Sequence, residues 1–316
     1  MHNKLKTTIL VIISLALIAV FVFTDVGTQW DYVLPKRGLK ILAIVLTGAA
    51  IGISTLVFQT ITNNRILTPS IIGLDSLYML IQTLLVFVFG SGNLTLMNKN
   101  VNFILSIALM VMFSGILYKV LFKREGNNIY FLLLIGLIFG TLFQSLSSFM
   151  QVMIDPNEFL LIQDKMFASF NNIKTELLYL SVFLIVAVCI YGYRFFKYLD
   201  VMSLGKEQAV NLGVDYDYVV KRLLIVIAIL ISISTALVGP ITFLGLLVVN
   251  VAYQFFNTYK HSYLIIGTIL LSIIALVGGQ LIVERVFTFS TTLSVIINFI
   301  GGVYFIYLLL KENKKW

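Results

Sequence analysis

Apolar runs separated by short polar or glycine- and proline-containing breaks recur along the whole of this chain. Each run approaches the roughly 20 residues that a helix needs to cross the hydrocarbon core of a bilayer. Hydrophobic residues make up 59% of the 316 residues and charged residues only 11%, which is more apolar surface than a water-soluble core of this size would bury. The pattern predicts an all-α polytopic membrane protein in which residues 1–316 form a single transmembrane domain.

Ten spans give the best division of the chain. They cover residues 7–24, 39–61, 71–89, 101–122, 129–150, 177–196, 221–238, 241–256, 263–283 and 293–310. The two spans around Gly239-Pro240 could be divided differently. The first run follows Lys4 and Lys6 as a secretion signal would, but it ends without a small-residue cleavage site and is interpreted as a retained helix.

The distribution of Lys and Arg predicts the orientation, because cytoplasmic loops accumulate these residues. With ten spans and an inner N-terminus, fifteen of the 22 basic residues fall in inner loops and seven in outer loops. Both termini are therefore predicted to be cytoplasmic. The net charge of +8 is explained by these topology signals and does not indicate a nucleic-acid partner.

Two loops are longer than a simple connection requires. The outer one, residues 151–176, contains an apolar piece from Phe159 to Phe170, which is too short to cross a bilayer and predicts a re-entrant or interfacial helix. The inner one, residues 197–222, is polar and contains the most informative motif of the chain.

Residues capable of bond chemistry are scarce. Histidine occurs only as His2 and His261, so neither a histidine-based metal site nor a catalytic triad can be assembled. The one cysteine, Cys189, lies in an apolar run and is interpreted as a packing residue. The sequence also lacks a Gly-x-x-x-x-Gly-Lys phosphate loop. We therefore expect a chain that is not an enzyme and binds no cofactor or metal, with any energy source in other subunits.

Ionisable residues near the ends of predicted spans have two interpretations. Asp75, Glu284 and Arg285 could mark a transport pathway, or their side chains could reach the membrane interface at little cost. A proton-driven transporter needs acidic residues deep in several helices, and the sequence does not show that pattern. A secondary transporter is therefore the less favoured class.

The fifth predicted span carries a polar stripe on one helical face. Its members follow at three- and four-residue steps and are Gln144, Ser147, Ser148 and Gln151. A polar face inside a membrane must meet protein or water, so the stripe is predicted either to line a pathway or to pack against another helix. The pairs Gly48-x-x-x-Gly52 and Gly136-x-x-x-Gly140 predict close contacts between helices.

Two motifs flank the seventh predicted span. One reads Leu-Gly-Lys-Glu-Gln-Ala-Val-Asn-Leu-Gly from Leu204 to Gly213, and the other reads Gly-Pro-Ile-Thr-Phe-Leu-Gly-Leu from Gly239 to Leu246. Their order resembles the permease family of iron-siderophore, haem and cobalamin ABC importers, whose cytoplasmic coupling segment has the form L-G-x-x-x-A-x-x-L-G and is followed by G-x-I-x-F-x-G-L. The resemblance implies the type II ABC importer permease architecture.

Matches and departures from this family extend along the chain. The matches are Leu34-Pro35-Lys36-Arg37, the glycines Gly48 and Gly52, Gln59, Asn63-Asn64, Pro69-x-x-x-Gly73 and Gly301-Gly302-Val303-Tyr304-Phe305. Arg65 stands where the family's N-P-L-A motif has proline, and Asn250 and Tyr253 stand where its P-H-x-x-R motif has histidine and arginine. Residues 290–294 replace its E-L-P-V-G motif. These departures favour a heterodimer with a more typical permease over a pair of identical copies.

The resemblance assigns roles to three groups of residues. ATPase coupling is assigned to a cytoplasmic segment, 198–220, through Leu204, Gly205, Lys206, Glu207, Ala209, Leu212 and Gly213. Pathway lining is assigned to the fifth and tenth spans through Gln144, Ser147, Ser148, Gln151 and Asn298. Docking of a binding protein is assigned to Lys36, Arg37 and Arg285, for which lipid headgroup contact is the alternative. In the coupling segment, Gly205 and Gly213 are expected to form turns, and Ala209 and Leu212 to make apolar contacts.

The resemblance also implies the partners. They are a second permease, two ATP-binding subunits that hold ATP and Mg²⁺, and an extracytoplasmic substrate-binding protein. The chain would be a multi-pass permease of the bacterial cytoplasmic membrane that moves a ferric siderophore. Cobalamin or haem is the alternative cargo within the family, and an ion-coupled secondary transporter or a membrane scaffold is the alternative outside it.

Overall fold

The computed structural model describes residues 2–24, 30–94, 99–123, 129–171, 173–289 and 291–312. Within these ranges every regular element is helical, which confirms the predicted all-α class. The α-helices are α1 (His2–Phe23), α2 (Trp30–Thr62), α3 (Leu74–Leu94), α4 (Lys99–Lys123), α5 (Ile129–Met153), α6 (Pro156–Met166), α7 (Thr175–Phe196), α8 (Leu199–Met202), α9 (Lys206–Asn211), α10 (Tyr216–Val238), α11 (Leu244–Phe256), α12 (His261–Arg285) and α13 (Leu293–Glu312). A 3-10 helix, Pro69–Ile72, precedes α3.

Among the described residues, seven helices are long and apolar enough to cross a membrane, namely α1, α2, α4, α5, α7, α10 and α12. The apolar helices α3, α11 and α13 are shorter. Helix α11, for example, has 13 residues, and at 1.5 Å per residue it is about 20 Å long, less than the roughly 30 Å of a hydrocarbon core. Each predicted span therefore corresponds to an apolar helix, while the number of ten crossings stays a prediction.

Two helices begin earlier than hydropathy predicts. Helix α2 begins at Trp30 rather than at residue 39 and contains Pro35. Helix α10 begins at Tyr216 rather than at residue 221, because the Asp215 carboxylate accepts a hydrogen bond from a first-turn backbone N–H and caps the helix. Hydropathy locates the apolar part of a helix but not its polar ends.

The core of the bundle is built around α2, α10 and α12. Every residue of α2 from Ala50 to Thr62 is buried. Small residues allow α12 to approach closely, since a Cβ on Gly52 would lie 2.8 Å from Thr268 Cγ2. The predicted packing role of the first glycine pair is therefore confirmed.

The helix ends gather at two faces of the bundle. One face carries α9, and we call it the α9 face; there Lys6 Nζ near the start of α1 donates a hydrogen bond to the Phe255 carbonyl at the end of α11 (2.6 Å), and Gln254 Nε2 donates to Tyr304 Oη on α13 (2.8 Å). The other, which we call the α6 face, carries α6, the start of α2 and the end of α12. Helix α1 thus starts, and α13 ends, at the same face.

The connection between α2 and α3 turns back into the bundle. Its 3-10 helix buries Pro69 and Ile72 and ends at Gly73, whose φ is +86°. A Cβ on Gly136 of α5 would lie only 2.7 Å from Ile72 Cα, so the glycine lets this irregular segment touch α5. Non-helical backbone at membrane depth has to be covered by protein. The second glycine pair therefore contacts a 3-10 turn. The sequence predicted that this pair would contact another α-helix.

The apolar piece predicted from Phe159 to Phe170 forms α6, but the helix ends earlier, at Met166. The chain beyond it is bound to other elements, because the backbone N–H of Ser169 donates to the Val238 carbonyl at the end of α10 (2.8 Å). The backbone N–H of Ser169 is therefore bonded to α10 and does not continue the hydrogen bonds of α6. Helix α6 is short, and its buried Ile162 packs with Met79 and Val86 of α3.

Candidate functional site

The Leu204–Gly213 motif forms α9, a helix of six residues bounded by glycines. Gly205 has a φ of +98° and Gly213 a φ of +84°, values at which a residue with a Cβ is strained. Both glycines therefore form the turns expected of them. The motif projects from the α9 face as a compact element between α8 and α10.

The apolar side chains of the motif are divided between the inside and the outside of the chain. Ala209 is fully buried, whereas Leu204 is 57% exposed and Leu212 is 64% exposed. Of the two expected contact residues, only Ala209 packs within this chain, because Leu212 lies at the C-cap beyond the buried side of α9. Leu204, Val210 and Leu212 are exposed apolar side chains of this one short segment, and we refer to them together as the exposed patch. Such a patch marks an interaction surface.

The charged residues of the motif are at the surface. Lys206 Nζ lies 3.8 Å from Asp217 Oδ1, and both side chains are about half exposed. A pair of this kind contributes less than about 1 kcal/mol. Glu207 is exposed as well. The motif therefore presents one cation and one anion beside its apolar patch.

His261 is buried and makes hydrogen bonds to two distant elements that sequence reasoning missed. Its Nδ1 donates to Asp200 Oδ1 at 2.7 Å, and its Nε2 lies 2.8 Å from Thr60 Oγ1. Asp200 Oδ1 also accepts the backbone N–H of His261 at 2.7 Å, which caps α12. The only available signal was the placement of an aspartate and a histidine in two inner loops, which does not by itself imply contact.

Two departures from the family pattern lie against each other. The Arg65 guanidinium is 4.5 Å from the centroid of the Tyr253 ring, a cation–π contact. Asn250 Nδ2 donates to the Arg65 carbonyl at 2.9 Å, and Gln59 Nε2 donates to the same oxygen at 2.7 Å. Arg65, Asn250 and Tyr253 thus form one cluster between the loop after α2 and α11.

A polar cavity of about 90 Å³ opens beside these residues. It is lined by Gln59, Thr60, Asn63, Asn64, Arg65, Ser203, Tyr253, Tyr259 and His261. Gln59 Oε1 is buried and has no hydrogen-bond partner within the described part of the chain. The polar lining and the size of the cavity suit bound water, which would satisfy this oxygen.

The polar stripe of α5 is divided between two directions. Ser147 is 4% exposed, and Gln151 Nε2 donates to Thr83 Oγ1 on α3 at 3.2 Å, so these two face the bundle. The exposed polar residues of α5 are Thr141, Gln144, Ser145 and Ser148. Of the predicted pathway residues on this helix, Gln144 and Ser148 are exposed and remain candidates for lining a pathway. Ser147 and Gln151 face other helices of this chain.

Asn298 on α13 contacts the turn between α10 and α11. Its Oδ1 accepts a hydrogen bond from the backbone N–H of Phe243 at 3.4 Å. Close packing continues one turn further along α13, since a Cβ on Gly301 would lie 2.5 Å from Phe243 Cβ. Asn298 therefore holds this turn against α13, and its part in a pathway stays a prediction.

The cations predicted to dock a binding protein lie at the α6 face. Lys36 is exposed, with Nζ 5.6 Å from the centroid of the Tyr32 ring. Arg37 Nη1 donates to three carbonyls at the end of α1, and Arg285 Nη2 donates to the last of them, that of Thr24 (3.0 Å). The two guanidinium groups satisfy helix-terminal carbonyls that would otherwise lack partners. Arg37 and Arg285 thus stabilise the end of α1, in addition to their predicted role in docking a binding protein.

The two acidic residues at span ends both contact other helices. Asp75 Oδ1 accepts a hydrogen bond from Thr235 Oγ1 on α10 at 3.4 Å, and its other oxygen is buried. Glu284 is bound to Lys40. Both carboxylates bind partners on other helices, and their assignment to a pathway or to the membrane interface stays a prediction.

Among the described residues, seven apolar helices of membrane-spanning length are typical of a multi-pass membrane protein. Residues 6–311 match the FecCD transport family, and the chain belongs to that family. It is 66% identical over 316 residues to the petrobactin import system permease protein YclO of Bacillus subtilis, with complete coverage of both chains. It is 25% identical to YclN, another petrobactin import system permease protein of that species, over 98% of this chain and 99% of YclN.

A solved structure has the same fold. The inward-facing structure of a metal-chelate type ABC transporter superimposes with a TM-score of 0.79, covering 98% of this chain and 99% of the other at 21% sequence identity. At that identity the match establishes the fold and not the cargo.

Proposed function

We propose that this chain is one of two different permeases of an ABC importer for ferric petrobactin. The observation that carries this proposal is the 66% identity to YclO over the full length of both chains. The exposed apolar side chains in and beside α9 support the assignment of ATPase coupling to the segment 198–220. Ferric siderophore is therefore the cargo class, and petrobactin the particular siderophore.

The proposed topology has ten crossings, with both termini in the cytoplasm of a bacterial cell and the α9 face on the cytoplasmic side. The basic residues support this orientation, because most of them lie at the α9 face if all ten apolar helices cross. The α6 face is then extracytoplasmic, and Lys36 is its candidate contact for a substrate-binding protein.

The proposed complex contains a second, non-identical permease and two ATP-binding subunits. The similarity to both YclO and YclN, two permeases that share one system name in one species, supports the heterodimer. ATP and Mg²⁺ would be held by the ATP-binding subunits, so that this chain performs no bond chemistry. Closure of those subunits would move α9, and the permease pair would alternate between outward and inward access.

Iron uptake in a strain that lacks its own siderophore permeases tests this function. We expect cells that express this chain with a YclN-type permease, an ATPase and a binding protein to take up radioactive iron from ferric petrobactin. Uptake should require the ATPase and both permeases. Ferric hydroxamate, haem and cobalamin serve as competing cargoes, and uptake of one of these in place of ferric petrobactin would contradict the cargo assignment.

The same strain distinguishes an ion-coupled transporter from an ABC permease. Asp75→Asn and Glu284→Gln should leave ATP-dependent uptake in place, since neither carboxylate is proposed to carry a proton. Uptake that survives removal of the ATPase but is abolished by these two substitutions would overturn the ABC assignment.

A further inference from the structure

The segments before and after α9 are both bound to the last turn of α2. Before α9, Asp200 binds His261, whose Nε2 lies 2.8 Å from Thr60 Oγ1. After α9, the hydroxyl of Tyr216 donates to the Ile61 carbonyl at 3.0 Å. His261 is 3% exposed and Tyr216 is 7% exposed. Water is largely excluded from the bonds made by Thr60 and Tyr216, which are therefore stronger than the same bonds at a surface, whereas the Asp200 side chain is 54% exposed.

The last turn of α2 leads directly into the segment 63–73 that contacts α5. The start of this segment is fixed to α2, because Gln59 Nε2 donates to the Arg65 carbonyl at 2.7 Å. Its end lies against α5, where a Cβ on Gly73 would be 3.0 Å from the Gly136 carbonyl oxygen. A contact between two backbones leaves little space for sliding, so a displacement of the segment has to displace α5 or be blocked by it.

We propose that Asp200, His261 and Tyr216 are positioning residues that make α9 and the last turn of α2 move as one body. Movement of α9 then reaches α5 through the segment 63–73. The inference rests on the proposed function, since movement of α9 requires an ATPase. These three residues act through α2 and not on the cargo.

Two attachments matter because each alone would act as a hinge. With only the bond from Tyr216, α9 could swing about that contact while α2 stayed in place. With only the bonds through His261, the end of α9 that leads into α10 would have no hydrogen bond to α2 and would be held there by packing alone. Attachments on both sides of α9 remove these rotations, so a push on the exposed patch displaces α2.

Variants that delete single hydroxyl groups test this inference in the assembled importer. Tyr216→Phe and Thr60→Val each remove one attachment with almost no change in shape. Thr62→Val is the matched control, because Thr62 is also a buried threonine of the last turn of α2, but its Oγ1 donates to the Phe58 carbonyl within that helix and belongs to neither attachment. The importer, with both permeases, ATPase and binding protein, is placed in proteoliposomes, and radioactive iron transported from ferric petrobactin is measured per ATP hydrolysed.

We expect each single variant to lower the ratio of iron transported to ATP hydrolysed about three-fold, and the double variant about ten-fold, as for hydrogen bonds of about 0.7 kcal/mol each. Permease amount and subunit assembly should match the wild type, and Thr60→Ser should restore the ratio. An unchanged ratio in the double variant, or an equal fall in Thr62→Val, would overturn the inference. So would a loss of uptake explained entirely by less assembled complex. Wild-type importer without ATP-dependent transport would instead reject the proposed function, and the inference with it.

Discussion

Lys40 Nζ of α2 lies 2.7 Å from Glu284 Oε1 of α12, and the two side chains are only 14% and 12% exposed. Each charge has a further polar neighbour, because Lys40 Nζ donates to Asn171 Oδ1 at 2.9 Å and Gln280 Nε2 donates to Glu284 Oε1 at 2.9 Å. This network joins α2, α12 and the chain after α6 at the α6 face. Burial of a satisfied pair costs little compared with burial of one unpaired charge.

Removal of one partner of this pair should therefore cost more than removal of both. We expect Lys40→Met to destabilise the purified permease by roughly 3 kcal/mol, and Lys40→Met with Glu284→Gln to be more stable than Lys40→Met alone. Thermal unfolding in lipid nanodiscs measures the difference, with Lys36→Met as the exposed control. Additive losses in the double variant would mean that the two charges do not stabilise each other.

The fold was predictable from sequence wherever a residue's role depended on its own neighbours along the chain. Apolar runs located all ten apolar helices, and the glycines of the motif located the turns at Gly205 and Gly213. The path of residues 63–73 was not predictable, because it depends on the space that Gly136 leaves on a distant helix. A hydropathy profile contains no information about which helices touch.

Gly136 is the position where this contact can be tested. We expect Gly136→Ala to destabilise the permease by roughly 2 kcal/mol, since the new Cβ would meet the backbone at Ile72 and neither helix can shift freely. Gly115→Ala on α4 is the control, because its Cβ would have no atom within 4 Å and alanine favours a helix. Thermal unfolding of the two variants measures the effect, and equal stability would show that the contact with α5 is loose.

In the candidate site, too, features that depend on neighbouring residues in the sequence were predictable, and contacts between distant residues were not. The motif at 204–213 was found because its spacing is local. The bonds from His261 to Asp200 and Thr60 join positions far apart in sequence, so no local sequence pattern predicts them. Arg37 and Arg285 were correctly placed together at one face, but their bonds to carbonyls of α1 depend on where that helix ends.

Helix α9 should lose its ATPase partner when its exposed patch becomes charged. We expect Leu212→Asp to abolish co-purification of the ATPase while the permease still inserts in the membrane, because an apolar contact is replaced by a charge that must be desolvated. Tyr259→Asp is the control, since Tyr259 is 76% exposed at the same face but outside α9. Normal ATPase binding by Leu212→Asp would show that the exposed patch is not part of the interface with the ATPase.

Substitutions of Glu207 and Gly213 test the coupling role of the motif without removing its apolar contact with the ATPase. We expect Glu207→Lys to preserve ATPase binding but to lower iron uptake per ATP, because its charge sets the register of α9 on its partner. Gly213→Asp should do the same through backbone strain of roughly 1 kcal/mol at positive φ. Uptake and ATP hydrolysis measured together in vesicles check both variants, and normal uptake in both would contradict the coupling role.

Ser148 offers the most direct test of a pathway along α5. Its side chain is exposed together with Gln144, and in a membrane such a polar face requires water or a partner protein. If the stripe lines the route of a ferric siderophore, Ser148→Phe narrows that route and should lower uptake by about ten-fold, whereas Ser148→Ala should not. Ile190→Phe on α7 is the control for added bulk, because Ile190 is 67% exposed and apolar. Co-purification of the second permease decides between the two uses of this face: uptake lost with the pair intact indicates a pathway, while loss of the pair itself indicates that Ser148 packs between the permeases.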